Sequence, residues 1–201
     1  MTRALITAGV LAMLWIPTLQ AQATAQPPNS GAGLPQVYVP EQLSPVQKQA
    51  RDAVSSLRDS VAAAGGALAA FSADAPTTSL QVMESRAATA VDRCNSAERQ
   101  RTQSVKDLSS AALTEPGEIK AQKQMLKEME KLKKPLDECL ATYQPLSLRG
   151  KGQEARDYGP SRAKPILAGF QKFDQALKPF STAMKIQFRP MINSAGKSPL
   201  D

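Results

Sequence analysis

The sequence predicts an all-α protein, a small antiparallel bundle of three to four helices with an unstructured N-terminal leader and a basic C-terminal helical segment. Three observations carry this. Apolar residues recur at three- and four-residue steps in successive segments of the 201-residue chain, no segment alternates with the two-residue period of a strand, and the breaks hold Pro, Gly, Ser and Thr in helix-capping order. A composition of 42% apolar and 21% charged residues suits one folded domain with unstructured flanks.

Met1-Thr2-Arg3 opens the chain, an uncharged run follows from Ala4 to Leu19, and Ala21-x-Ala23 and Ala23-x-Ala25 offer two small-residue cleavage frames. A basic start, an apolar stretch and an A-x-A exit describe a secretory signal peptide over residues 1–23, cleaved near Ala23 or Ala25. The 16-residue run is shorter than the roughly 20 residues that span a bilayer, which argues against a retained anchor. The expected address is periplasmic or secreted, with no transmembrane segment in the mature chain. Residues 24–42 carry Pro27, Pro28, Pro35 and Pro40 among Gln, Asn, Gly and Ser, the composition of an extended leader.

Ser44-Pro45-Val46-Gln47 combines an N-cap serine, proline at the first helical position and glutamine three residues past the cap. Behind it Val46, Ala50, Val54, Leu57, Val61, Ala64, Leu68 and Phe71 lie on one helical face, with Gly65-Gly66 weakening the last turns. Thr78-x-x-Gln81 caps a second helix with Leu80, Met83, Ala87, Val91, Cys94, Val105 and Leu108 on its inner face; between Asn95 and Ser104 that face is poor and predicts a stretch either solvated or covered only by long side-chain stems. Thr114-Glu115-Pro116-Gly117 starts a third helix through Met125, Met129, Leu132, Leu136, Cys139 and Tyr143, with a lysine-rich outer face and a kink expected at Pro135. The bundle proper is thus expected over residues 43–143. Residues 144–163 read as a basic Gly/Pro loop, residues 164–190 as a basic amphipathic helix kinked or split in two at Pro179, and residues 191–201 as a disordered tail.

Cys94 and Cys139 are an even pair in an exported chain, where a disulfide is expected; the C-x-x-C spacing of a redox-active pair is absent. Cys94 precedes Thr114 by 20 residues and Cys139 follows Gly117 by 22, arms of about 30 and 33 Å in helical form. An antiparallel hairpin of helices two and three would bring the sulfurs level, and the bond would staple its far end.

The charge excess is local. Residues 141–201 hold ten basic and four acidic residues together with four of the five phenylalanines, whereas residues 111–140 hold six of each sign. Arg149, Lys151, Arg156, Arg162 and Lys164, followed by Lys172, Lys178, Lys185 and Arg189, are therefore the candidate contacts to an anionic surface. Against this stands a core reading of the same helix, in which Ile166, Phe170, Phe173, Leu177, Phe180, Met184 and Phe188 face the bundle interior.

The absence of histidine removes Ser-His-Asp and Cys-His catalysis and histidine metal sites. Two cysteines cannot form a zinc cage or an iron–sulfur site. Gly150-Lys151-Gly152 lacks the frame of a phosphate loop, and the carboxylate neighbours Glu128/Glu130 and Asp137/Glu138 do not face each other on a helix. No cofactor or metal is implied, and no helix-turn-helix, zinc-finger or RNP signature points to nucleic acid.

Leu43-Ser44-Pro45-Val46-Gln47 resembles the L-T-x-x-Q signature of the small helical periplasmic chaperones and stress sensors of the Spy/CpxP type, and Leu113-Thr114-Glu115-Pro116-Gly117 is similar to a second copy. The resemblance implies a small helical periplasmic chaperone or stress protein. The residues themselves lead to a non-catalytic exported helical binding or structural protein of the cell envelope. Its expected partner is an envelope protein or an anionic envelope surface, lipid or polymer.

Overall fold

The computed structural model describes residues 43–73 and 77–188; the expected signal peptide 1–23, the expected leader 24–42, Arg189 and the expected tail 191–201 lie outside the described residues. Among the described residues five helices follow in order: α1 (Pro45–Ala73), α2 (Leu80–Ser109), α3 (Pro116–Lys131), α4 (Lys133–Leu146) and α5 (Gly152–Met184). With α3 and α4 forming one broken rod, they make an up-down-up-down four-rod bundle. Hydrogen bonds between helix ends give the directions. Gln49 at the start of α1 donates to the Asp107 carbonyl near the end of α2, and Arg86 early in α2 donates to the Ala70 carbonyl late in α1. Gln47 reaches Glu118 at the start of α3 at 2.7 Å, and Tyr143 near the end of α4 reaches Gly159 early in α5.

The start of α1 is a reciprocal capping box: the Gln47 amide donates to Ser44 Oγ and the Ser44 amide donates to Gln47 Oε1. Its apolar stripe, Ala50, Val54, Leu57, Val61, Ala64, Leu68 and Phe71, is buried throughout. The second cap sits one residue later than the sequence suggests, at Ser79, whose hydroxyl accepts from the Val82 amide.

The stretch of α2 expected to be solvated or covered only by side-chain stems is buried at Ala97, Arg101 and Ser104. Polar chemistry makes this tolerable. Ser104 Oγ donates to the Ala53 carbonyl of α1 at 2.7 Å, and the Arg101 guanidinium forks onto Glu98 at 2.7 and 2.8 Å and reaches Glu130 at 3.4 Å. Hydrogen bonding to Glu98 outweighs the burial, so Arg101 holds its proton even more firmly than usual.

The break between α3 and α4 falls at Leu132. Pro135 has no amide to offer the Lys131 carbonyl and its ring crowds that carbonyl, so the rod breaks one turn before the proline. The same ring faces α5, where a Cβ on Gly169 would lie 2.7 Å from Pro135 Cβ.

The expected loop over residues 144–163 is a correction: α4 runs to Leu146, a tight turn follows with Gly150 at φ 83°, and α5 begins at Gly152, well before Pro165. The buried row Gly152, Ala155, Gly159, Ala163, Ile166 and Phe170 continues the apolar stripe backwards at steps of three and four. Its small residues are where neighbours come close. A Cβ on Gly152 would meet the Leu80 carbonyl oxygen at 2.3 Å, and one on Gly159 would meet the Phe71 ring at 2.7 Å. Pro160, Pro165 and Pro179 lie inside α5 without splitting it. Pro165 and Pro179 are exposed and Pro160 half-buried, so the carbonyls one turn earlier, freed of a donor, lie on the side open to water.

Cys94 and Cys139 are bonded, both fully buried, with Cα atoms 6.4 Å apart, and tie α2 to α4. Above them in α4, Tyr143 packs its ring 4.9 Å from Phe71 and donates its hydroxyl to the Gly159 carbonyl at 2.6 Å. Burial raises the Tyr143 phenol above its ordinary value near 10. Since the folded state holds this proton more tightly than the unfolded one, the contribution is intact below pH about 10 and is lost as pH rises beyond it. Urea unfolding of Tyr143→Phe against the parent should show the parent losing up to about 1.4 kcal/mol more per pH unit above pH 10, and parallel pH curves would contradict this.

Candidate functional site

A concave surface follows the seam between the α3–α4 rod and α5. A cleft of about 750 Å³ lies at the rod's break, floored by Leu132, Pro135, Pro165, Ala168, Gly169 and Phe173 and rimmed by Lys131, Lys134, Glu138 and Lys172. A second, apolar cleft of about 300 Å³ continues it between Gly117, Ala121 and Met125 of α3 and Pro179, Phe180 and Ala183 of α5. Glu128 and Ala176 line both, so the two form one groove along the seam. The groove exists because small residues face each other there: Pro135 breaks the rod, Gly169 accepts its ring, and Ala168, Ala176 and Ala183 leave the surface shallow.

Its electrostatics are lopsided toward lysine. Lys131 pairs with Glu128 at 2.9 Å, whereas Lys134 and Lys172 are exposed and without an ion pair among the described residues. Just outside, Lys133 pairs with Asp137 at 2.6 Å, and that hydrogen bond raises its pKa. The exposed lysines Lys120, Lys123 and Lys127 extend the basic rim along α3, over a further shallow depression with Ile119 and Gln124. An arrangement of this kind can hold an extended partner by contact with its floor and attract negative charge along its edges.

The nine expected surface contacts do not converge. Lys172 lines the groove, and Arg162, Lys164 and Lys178 stand exposed along α5. Arg149 is exposed in the α4–α5 turn, and Lys185 is the left-handed cap that ends α5. Two are engaged internally: Lys151 pairs with Glu154, and Arg156 donates to the Thr78 carbonyl at 2.6 Å. Arg189 lies outside the described residues. The aromatic stripe is core. Ile166, Phe170, Phe173, Leu177, Phe180 and Met184 are buried, and Phe188 stacks near Phe180 with the Arg58 guanidinium 5.9 Å above its ring. The apolar face of α5 is thus spent inside the bundle, and only its outer face is open to a partner.

Ser161-Arg162-Ala163-Lys164 has the S-x-x-K spacing of some serine–lysine dyads, a match visible in the sequence by direct scan. Both side chains lie exposed on α5, and Ser161 Oγ donates to the Tyr158 carbonyl at 2.9 Å. Such a dyad requires a desolvated amine in reach of the hydroxyl, which this open surface does not supply. The residues of the Spy/CpxP-like motif are likewise occupied, Ser44 and Gln47 in capping α1. Among the described residues no cluster of three or more potential metal ligands occurs, and no helix is long and apolar enough to cross a membrane. The groove itself escapes sequence reading. Its one signal is the row Ala168, Gly169, Ala176 and Ala183 opposite the lysines of the third helix.

Comparison with protein families, with curated proteins and with solved structures finds no match for this chain.

Proposed function

We propose that the chain is an exported, non-catalytic helical binding protein of the cell envelope, and that it binds through the groove between the α3–α4 rod and α5. The observation that carries this reading is the groove itself, a continuous shallow channel with a floor of Pro, Ala and Gly and unpaired lysines at its rim. The signal-like N-terminus supports export, and the buried disulfide is compatible with an oxidising compartment.

The immobilised full chain, challenged with envelope extract at low salt, should retain components that salt elutes. Lys134→Glu/Lys172→Glu should lose them. Neither lysine has an ion pair among the described residues, so the double variant leaves the fold intact, as helical circular dichroism would verify. Identical retention by parent and variant would count against the groove. Cell fractionation tests the address: a processed chain is expected outside the cytoplasm.

A further inference from the structure

Four large apolar side chains stand exposed among the described residues: Leu80, Val82, Leu148 and Tyr158, the last two 59% and 61% exposed. All four lie at one end of the bundle. Leu80 and Val82 belong to the first turn of α2, Leu148 to the α4–α5 turn, and Tyr158 to the second turn of α5. This end is closed by specific bonds. Glu84 accepts from the amides of Gly150 and Gly152, and Arg156 donates to the Thr78 carbonyl. At the opposite end Leu113 and Phe188 are partly covered and Ile186 is buried.

The charge around these side chains is basic on balance, Arg149, Lys151, Arg156 and Arg162 against Glu84, Glu154 and Asp157. The carboxylates nearby are engaged: Glu84 with backbone amides, Glu154 with Lys151, and Asp157 with Gln153. Arg149, next to Leu148, and Arg162, one turn beyond Tyr158, are exposed and have no ion pair among the described residues. Each prominent apolar side chain is therefore flanked by a free guanidinium. The apolar groups are separate and protruding, spread over two helix starts and a turn. A rigid protein partner needs a contiguous patch, whereas a lipid surface rearranges around each insertion. Tyrosine favours the headgroup level, and arginine favours lipid phosphate.

We propose that this end of the bundle docks on an anionic phospholipid surface, with Leu148 and Tyr158 entering the headgroup layer and Arg149 and Arg162 meeting the phosphates. The proposal goes beyond the groove reading and does not depend on it.

Because the native cysteines are bonded to each other, a single new cysteine can be labelled selectively. The full chain carrying Leu148→Cys with an environment-sensitive fluorophore is titrated with vesicles of phosphatidylglycerol and phosphatidylethanolamine, and separately with phosphatidylcholine vesicles. The same label at Lys123→Cys, exposed on α3, serves as the reference, since it reports any binding led by other parts of the chain. A blue shift at position 148 alone, with anionic vesicles alone and weakened by salt, is expected. Arg149→Ala/Arg162→Ala should raise the vesicle concentration at half-maximal shift about 25-fold, at about fivefold per charge. The proposal is overturned by no shift at 148, by an equal shift at 123, or by an equal response to phosphatidylcholine. Retention on an anionic polysaccharide with no vesicle response would overturn it in favour of an envelope polymer. A concentration-dependent shift without vesicles would overturn it in favour of a second copy of the chain.

Discussion

Replacing Gly152 by alanine is expected to destabilise the fold by about 3 kcal/mol, near the upper end of what overpacking costs. The added methyl would sit 2.3 Å from the Leu80 carbonyl oxygen and 2.7 Å from its carbonyl carbon. Backbone cannot rotate away as a side-chain tip can, so the starts of α2 and α5 must separate. That movement also strains the bonds from the Gly150 and Gly152 amides to Glu84. A loss of about 6–12 °C in Tm should accompany it. Gly159→Ala, which meets the Phe71 ring at 2.7 Å, should cost less, because a ring can tilt. Gly66 gives the control: a Cβ there meets nothing within 4 Å, so Gly66→Ala should stabilise by about 0.5–1 kcal/mol. Two glycine-to-alanine changes within helices thus carry opposite signs. A neutral Gly152→Ala in thermal unfolding would mean that α2 and α5 do not approach as described.

Removing the disulfide is the second large effect. Cys94 and Cys139 enclose 45 residues of sequence separation, for which the chain-entropy account gives about 4 kcal/mol. Both sulfurs are fully buried between α2 and α4, so Cys94→Ala/Cys139→Ala also leaves space in the core. The double variant should unfold at markedly lower urea concentration than the oxidised parent, and the parent under reductant should follow it. A change below about 1 kcal/mol would show that α2 and α4 are held together equally well without the bond.

How far the sequence alone led can be read from individual residues. The stripe from Ala50 to Phe71 and the row from Ile166 to Met184 are buried as their spacing requires, because a 3.6-residue period survives any detail of packing. The pairing of Cys94 with Cys139 followed from an even cysteine pair in a chain expected to be exported, and the arm lengths of two helices meeting at one turn agreed with it. The start of α5 did not follow. Gly152, Gly159 and Pro160 carry the composition of a loop, and only a neighbouring helix reveals that the glycines permit close approach. The lesson lies in the continued step of three and four through Ala155 and Ala163, which a composition-weighted reading passes over. Arg101 and Ser104 misled in the opposite direction. Their polarity suggests a wet face, but Glu98, Glu130 and the Ala53 carbonyl lie where they can be buried with partners. The groove was least legible, since it depends on where the α3–α4 rod breaks relative to Gly169 on another helix.

The proposed function makes this disulfide-tied bundle an envelope binder that works through the α3–α4/α5 groove. In-cell photo-cross-linking tests it most directly, with a photoreactive phenylalanine analogue placed at Ala168 in the groove or at Thr102 on the outer face of α2, both exposed. The account predicts a discrete adduct from position 168 in the envelope fraction, lost when Lys134→Glu/Lys172→Glu is introduced, and no such adduct from position 102. Equal adducts from both positions, or none from position 168, would contradict it.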